Sequence, residues 1–322
     1  MAYGADDLLE VRISSRRLLA IDIIEIELVS IDGGDLPPFE AGAHIDVQVS
    51  PGLVRQYSLC NDPRERHRYR LGILLDPNTR GGSEAIHKNF QSGQTTFISR
   101  PRCNFQLIKG PTPVVLLAGG IGITPLISMA YVLAAESRPF ALHYCTRSYD
   151  RAAYLDELAA GALATACSVY HDDTPHDQQF SLRAALDQIG PSSDIYICGP
   201  EGFIEFTMRG AIELGIDTAR VHVERFKASV EQDGDEFTVL AANSGVEVKV
   251  KSGVSIAKSL IDAGVSLNIS CEQGICGTCL TPVLEGIPDH RDQYQTDEEK
   301  AANNQMTPCC SRALSSRIVL AI

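Results

Sequence analysis

Cys271, Cys276 and Cys279, with Cys309 further on in Pro308-Cys309-Cys310-Ser311-Arg312, stand in the spacing C-x4-C-x2-C-x29-C. Four thiolates in that pattern suit a plant-type [2Fe-2S] cluster, which moves electrons one at a time. The loop from Cys271 to Cys279 can deliver three of them because Gly274 and Gly277 let backbone amides turn toward the sulfurs. A structural zinc site usually brings its ligands as two close pairs, and an x4 gap with a single Cys-x-x-Cys fits that poorly. A Rieske centre needs two histidines in place of two cysteines, and no Cys-x-His occurs. Of the adjacent Cys309 and Cys310, Cys309 is the expected fourth ligand and Cys310 a buried small hydrophobe.

A second group of residues suits nucleotide chemistry. The apolar run Val114-Val115-Leu116-Leu117-Ala118 reads as a buried strand, followed by Gly119-Gly120-Ile121-Gly122-Ile123-Thr124-Pro125 and a helical stretch from Leu126 to Ala135. Strand, glycine turn and helix make a pyrophosphate site, because the helix start offers free amides and positive dipole. Pro125 suits the first helical turn but occupies the third glycine's place in G-x-G-x-x-G, so a plain tight connection is an equal reading. Phe140 to Cys145 and Asp194 to Cys198 read as further parallel strands, with helices around Arg151 to Leu158 and Glu201 to Leu214. The second of those strands ends in Cys198-Gly199-Pro200, so both glycine turns should face one crevice beyond the strand ends.

The N-terminal region alternates differently: Ile24, Ile26 and Leu28 with Glu25 and Glu27, then Ile45, Val47 and Val49 with Asp46 and Gln48. That is the pattern of half-buried antiparallel strands, and with turns at Asp32-Gly33-Gly34 and Pro51-Gly52 it predicts a small barrel or sandwich. Arg55-Gln56-Tyr57-Ser58 lies on one such strand. Arg80-Gly81-Gly82-Ser83-Glu84 opens a helix expected to run from Glu84 to Gln91. Arg55 can grip a phosphate, the amides of Gly81, Gly82 and Ser83 can form an anion site, and Tyr57 offers a face for a flat ring. An ordinary N-cap at Ser83 and a core tyrosine at Tyr57 are the bland alternatives.

The chain's 322 residues leave room for two or three domains. Ten cysteines, with no signal peptide at the start and no long apolar span, point to a reducing, soluble compartment, by default the cytoplasm. A net charge of -13 disfavours nucleic acid and acidic membrane surfaces, and suits docking on a basic patch. The acidic stretch from Glu285 to Glu299, with Asp289, Asp292, Asp297 and Glu298, is a candidate docking face.

Taken in order, Arg55-Gln56-Tyr57-Ser58, Gly120-Ile121-Gly122-Ile123-Thr124-Pro125, Cys198-Gly199-Pro200 and the terminal cysteine motif resemble the phthalate dioxygenase reductase family, ferredoxin-NADP reductase relatives with a fused ferredoxin. The resemblance extends to His222-Val223-Glu224-Arg225-Phe226 and Asp289-His290-Arg291-Asp292, nearly the whole chain. It implies an FMN-binding antiparallel β barrel over residues 1–108, an NADH-binding doubly wound α/β domain over 109–228 and a β-grasp [2Fe-2S] ferredoxin over 235–322. It implies that Arg55 holds the FMN phosphate with Gly81, Gly82 and Ser83, that Tyr57 stacks on the flavin, and that Ser58 lies near its reactive nitrogen. Gln56, at a position where some relatives carry Thr, is counted with them among the cofactor-binding residues. Thr124 and Cys198 would border the nicotinamide, Gly120, Gly122, Pro125, Gly199 and Pro200 would shape its site, and Phe226 would lie against the flavin. Ser58, Thr124 and Cys198 are the expected catalytic residues. FMN is expected over FAD because no segment for an adenosine tail stands out in the barrel, and NADH over NADPH, although Arg147 could accept a 2'-phosphate and Asp172 or Asp173 a ribose.

The activity so implied is that of a monomeric reductase passing electrons from NADH through FMN and the cluster to a Rieske-type oxygenase that attacks or demethylates an aromatic ring. A flavin suits the middle place because it exchanges both hydrides and single electrons. The alternative is a stand-alone NAD(P)H-dependent flavin reductase for quinone, ferric or other small acceptors. A self-contained dehydrogenase lacks a substrate acid-base pair and would leave the cluster superfluous. The remaining cysteines, Cys60, Cys103, Cys145 and Cys167, should pack as small hydrophobes.

Overall fold

The computed structural model describes residues 8–51, 53–77, 81–190, 192–226 and 231–322. The turn residue Gly52 and Arg80 beside the expected anion site lie outside the described residues. The chain divides into two compact units, one spanning Leu8–Phe226 and the other ending at Ile322.

The first unit begins with β1 (Leu8–Ala20), β2 (Ile23–Ser30), β3 (His44–Ser50), β4 (Leu53–Ser58), β5 (Tyr69–Leu74), α1 (Gly82–Asn89) and β6 (Thr95–Ser99). The strands form an antiparallel sheet in the order β4-β3-β6-β1-β2-β5, and a bridge from Leu59 to Leu71 draws its two edges together into a barrel. Ile24, Ile26, Leu28, Ile45, Val47 and Val49 fill the interior, as their alternation predicts. The outward face departs from the pattern. Glu25 is 3% exposed and Asp46 1%, because arginines cover them. Arg70 donates to Glu25 through Nε at 2.9 Å and also binds Glu157 at 2.6 Å, while Arg102 pairs with Asp46 at 2.9 Å. Alternation finds the polar face, but a long-range ion pair decides whether that face sees water.

The same unit continues through β7 (Val114–Gly119), α2 (Ile123–Ala135), β8 (Phe140–Thr146), α3 (Leu155–Leu158), β9 (Cys167–His171), α4 (Leu182–Ile189), β10 (Asp194–Cys198), α5 (Glu201–Glu213) and β11 (Val221–Glu224). These strands are parallel, in the order β11-β10-β7-β8-β9. Val114, Leu116 and Ala118 of β7 pack with residues of α2, and Val115 and Leu117 with residues of α4 and α5. A strand buried on both faces must read as a continuous apolar run, and β7 does. α2 starts at Ile123, earlier than its apolar stretch suggests, and the helix expected from Arg151 is confined to Leu155–Leu158 after a short 3-10 turn at Tyr149–Arg151.

The second unit contains β12 (Phe237–Ala241), β13 (Val246–Val250), α6 (Ile256–Asp262), β14 (Thr281–Glu285), β15 (Pro288–Asp289), α7 (Asp297–Ala302), β16 (Gln305–Met306), β17 (Arg312–Ala313) and β18 (Arg317–Leu320). Its mixed sheet runs β13-β12-β18-β14-β16, with β12 and β18 parallel and α6 contributing Ile256 and Leu260 to the core. The Cys271–Cys279 loop between α6 and β14 is neither helix nor strand.

Candidate functional site

In the first unit, Arg55 crosses the start of α1. A Cβ added at Gly82 would lie 2.8 Å from Arg55 Nε and 3.0 Å from its Cδ, so glycine is what lets the guanidinium stem lie along the helix start. Gly81 adopts φ 87°, a left-handed value suited to glycine, and provides no side-chain cap, which leaves this end of the helix amide-rich. Ser83 Oγ accepts from the Asp76 amide at 3.1 Å, tying the preceding loop to the helix. A guanidinium against an amide-rich helix start has the donor set of a phosphate site. Gln56 lies on the opposite strand face, across from Asp46, and its Nε2 is buried without a partner among the described residues. Tyr57 packs partly against the barrel core, and burial pushes its hydroxyl pKa up.

At the other end, the turns after β7 and β10 meet backbone to backbone. A Cβ on Gly122 would lie 2.7 Å from the Gly199 amide nitrogen and closer still to the Cys198 carbonyl; one on Gly199 would lie 3.0 Å from Gly119 Cα. Gly122 and Gly199 are therefore required by the packing of one turn on the other. Gly120, at φ 53° with nothing within 4 Å of the same added atom, is the glycine that leaves open space for a ligand. Pro200 packs against Gly119 and precedes α5, and Pro125 is buried inside the first turn of α2. Thr124 is also buried. Its Oγ1 donates to Ile121 O at 3.0 Å, and its methyl faces β5 at Gly72, where an added Cβ would meet Thr124 Cγ2 at 2.8 Å. The hydroxyl expected at the nicotinamide thus closes its own turn.

Cys198 ends β10 between Ala118 of β7 and Glu224 of β11, fully buried. Burial, then the neighbouring Glu224 charge, push its thiol well above the ordinary range, so it stays neutral. Glu224 Oε2 is shut from solvent with no partner among the described residues, and burial pushes that carboxyl up to about 8. Phe226 packs on the core cluster that contains Ala118 and Cys198. Residue-by-residue reading did not single out Glu224. In Val221-His222-Val223-Glu224 it sits at an alternating, apparently outward position, and only the parallel register with Cys198 reveals it.

In the second unit the four expected ligands are all buried. The Cys271 thiol interacts with Cys276 and Cys309, and Cys309 with Cys279. Backbone amides point inward: Gln273 N donates to Cys271 Sγ at 3.3 Å and Thr278 N to Cys276 Sγ at 3.4 Å. Gly274 and Gly277 have φ near 70°, and each is pinned from outside. A Cβ on Gly274 would strike Cys310 Sγ and lie 2.9 Å from Asp292 Cα, and one on Gly277 would lie 2.5 Å from ring carbons of Tyr294. The donor set, four thiols with amides turned toward sulfur, fits a [2Fe-2S] cluster. No three His, Cys, Asp or Glu side chains among the described residues close on a single ion. Cys310 Sγ also interacts with Cys309, and Thr307 Oγ1 at 3.1 Å and Ser311 Oγ at 3.8 Å surround it, so its setting is polar and not that of a plain hydrophobe. The acidic stretch is largely spoken for: Asp289 binds Arg291, Asp292 is buried and accepts from the Tyr294 and Gln295 amides, and Glu299 completes a capping box with Thr296. Asp297 and Glu298 remain exposed in the first turn of α7, where the helix dipole favours acids.

Two family models match the chain: an oxidoreductase NAD-binding domain over residues 116–209 and a 2Fe-2S iron-sulfur cluster binding domain over residues 239–314. The vanillate O-demethylase oxidoreductase of Pseudomonas sp. (strain HR199 / DSM 7063) is 46% identical over 315 residues, covering 97% of this chain and 99% of that protein. A tetrachlorobenzoquinone reductase of Sphingobium chlorophenolicum is 43% identical, covering 94% and 95%. The solved structure of phthalate dioxygenase reductase, described as modular for electron transfer from pyridine nucleotides to [2Fe-2S], superimposes with a TM-score of 0.77 at 37% identity and covers 98% of each chain.

Proposed function

Because the chain belongs to the phthalate dioxygenase reductase family, we propose that the oxygenase it serves is of the Rieske type. The chain is an oxidoreductase, the reductase component of a two-component oxygenase system, using NADH, FMN and a [2Fe-2S] cluster. The observation that carries this is full-length similarity together with four thiols converging in the unit that the 2Fe-2S model matches.

Bound FMN supplies the conversion between the paired electrons of a hydride and the single electrons an iron-sulfur cluster takes. The chain's own residues bind, orient and exclude water. Arg55 and the α1 amides would hold the FMN phosphate, Tyr57 would stack on the ring, and Phe226 would cover it. Ser58 would present its hydroxyl near the reactive nitrogen. Cys198 and Glu224 would line the nicotinamide pocket as neutral groups, which keeps unpaired charge away from a transferring hydride. Thr124 would act through the shape of its turn. Cys271, Cys276, Cys279 and Cys309 would ligate the cluster.

We keep the three-part division at 1–108, 109–228 and 235–322, with the first two parts packed as one unit, and place the chain in the cytoplasm as a monomer. No helix among the described residues is long and apolar enough to cross a membrane. A second reading, reduction of quinones, is favoured by the tetrachlorobenzoquinone reductase among the relatives. Steady-state NADH oxidation with a purified Rieske oxygenase and an aromatic acid, set against tetrachlorobenzoquinone alone, tests the choice. Product formed in step with NADH supports the oxygenase reading. Fast turnover with quinone and none with any oxygenase favours the second.

A further inference from the structure

His44 opens β3 directly opposite Ser58 at the end of β4. The Leu59 amide donates to the Ala43 carbonyl at 2.8 Å, so Ala43 and Leu59 are the hydrogen-bonded pair. His44 and Ser58 occupy the adjoining non-hydrogen-bonded position, where opposite side chains on one sheet face stand closest, with Cβ atoms roughly 4.5–5.5 Å apart. The imidazole is 6% exposed, and its Nε2 is shut from solvent with no partner among the described residues. Ser58 is 5% exposed, and as the side chains stand its hydroxyl makes no hydrogen bond to that ring nitrogen. A buried ring nitrogen without a partner is costly and calls for one. The hydroxyl across the strand is the polar group its register offers.

We propose that His44 is the positioning partner of Ser58, holding that hydroxyl by a hydrogen bond through Nε2 and carrying a proton away from it. The inference rests on the flavin reading given above. Oxidising one NADH to NAD+ and passing its two electrons singly to acceptors leaves one proton to be released. In the relay the Ser58 O–H bond breaks as an N–H bond forms at His44 Nε2, the oxygen takes a replacement proton from the flavin side, and the proton on Nδ1 passes to water. No electrons move in this step. It needs a neutral imidazole, one nitrogen accepting while the other donates, and a ring that exchanges these roles as the hydroxyl turns. Burial, with Arg102 alongside, lowers the His44 pKa to about 4, which keeps the ring neutral. The charged groups beside it are that Arg102, bridged to His44 through the backbone, and Asp46, two residues along the same strand and paired with Arg102.

The test uses the full-length, FMN-loaded protein with His44→Ala, His44→Gln, Ser58→Ala and the double variant His44→Ala/Ser58→Ala. FMN affinity is read by fluorescence, and flavin reduction by NADH and re-oxidation by ferricyanide are read by anaerobic stopped flow. The relay predicts re-oxidation slowed about a hundredfold in each single variant, with reduction by NADH near normal in the two His44 variants. It predicts no further loss in the double variant, and partial recovery when imidazole is added to His44→Ala. Wild-type re-oxidation in His44→Ala would overturn it, as would losses that multiply in the double variant. So would full recovery in His44→Gln, which would make the ring a spacer; that variant also serves where His44→Ala does not fold. If NADH fails to bleach the wild-type flavin, the functional reading itself fails and the relay falls with it.

Discussion

Gly122→Ala isolates the contact between the two crevice turns. Gly122 sits at φ -62°, which alanine adopts freely, so backbone conformation is not the obstacle. On an open site the change would stabilise by about 0.4–1 kcal/mol through the unfolded chain. Here the new methyl would lie 2.7 Å from the Gly199 nitrogen and nearer still to the Cys198 carbonyl, backbone atoms that cannot rotate aside. Overpacking of that kind costs about 1–3 kcal/mol, and rigid partners place it near the top of the range. The net loss is then about 2 kcal/mol, or roughly 4–8 °C in melting temperature for a unit of this size. Relief must come from moving the Cys198-Gly199-Pro200 turn, and a displacement of about 1 Å at a reacting centre can cost about a hundredfold in rate. Gly120→Ala is the companion: it suffers the left-handed φ of 53° but meets nothing, so it should lose about 1 kcal/mol and leave the β10 turn in place. Calorimetry and stopped-flow flavin reduction read both variants. A Gly122→Ala protein that melts with the wild type and is reduced at the same rate would refute the turn-on-turn argument.

Glu224→Gln tests the buried carboxyl by pH. Its folded pKa, about 8, lies above its ordinary 4.5, so the stability of the protonated form is complete below about 4.5 and is lost as pH rises through about 8. The variant should melt with the wild type near the acid end of that window and above it at the alkaline end; a constant difference at every pH would contradict the assignment. Arg55→Lys should weaken FMN about ten- to a hundredfold by fluorescence titration while leaving riboflavin affinity unchanged, because the lost fork acts on the phosphate. Equal losses for both flavins would remove Arg55 from that role. Cys309→Ser should abolish cluster iron and its paramagnetic signal, whereas Cys310→Ser keeps them, since a hydroxyl suits the place beside Thr307 and Ser311. The reverse pattern would exchange the two roles.

The cysteine spacing and the apolar β7 run were legible because each is a local pattern with one physical use: thiols for a cluster, and a strand buried on both faces. Arg55 and the Gly81–Ser83 helix start were legible separately, and the fold brings them together across Gly82. What escaped depends on register between distant strands. Alternation makes Glu25, Asp46 and Glu224 look outward, and only pairing with Arg70 and Arg102, or burial beside Cys198, decides otherwise. Gly122 looks like a phosphate glycine until the second turn is packed on it. Thr124 looks free until its own turn claims the hydroxyl. The His44 Nε2, without a partner among the described residues, likewise gives no sign in Ala43-His44-Ile45-Asp46 beyond sitting on the polar side of a strand.

The central claim is that this chain carries electrons from NADH through a flavin to an iron-sulfur cluster, and anaerobic stopped-flow spectroscopy of the FMN-loaded protein mixed with NADH tests it most directly. The account predicts bleaching of the flavin band first, then slower loss of the red-brown cluster absorbance, with the second phase absent in Cys309→Ser. A colourless protein, or a cluster that stays oxidised after the flavin is bleached, would contradict it.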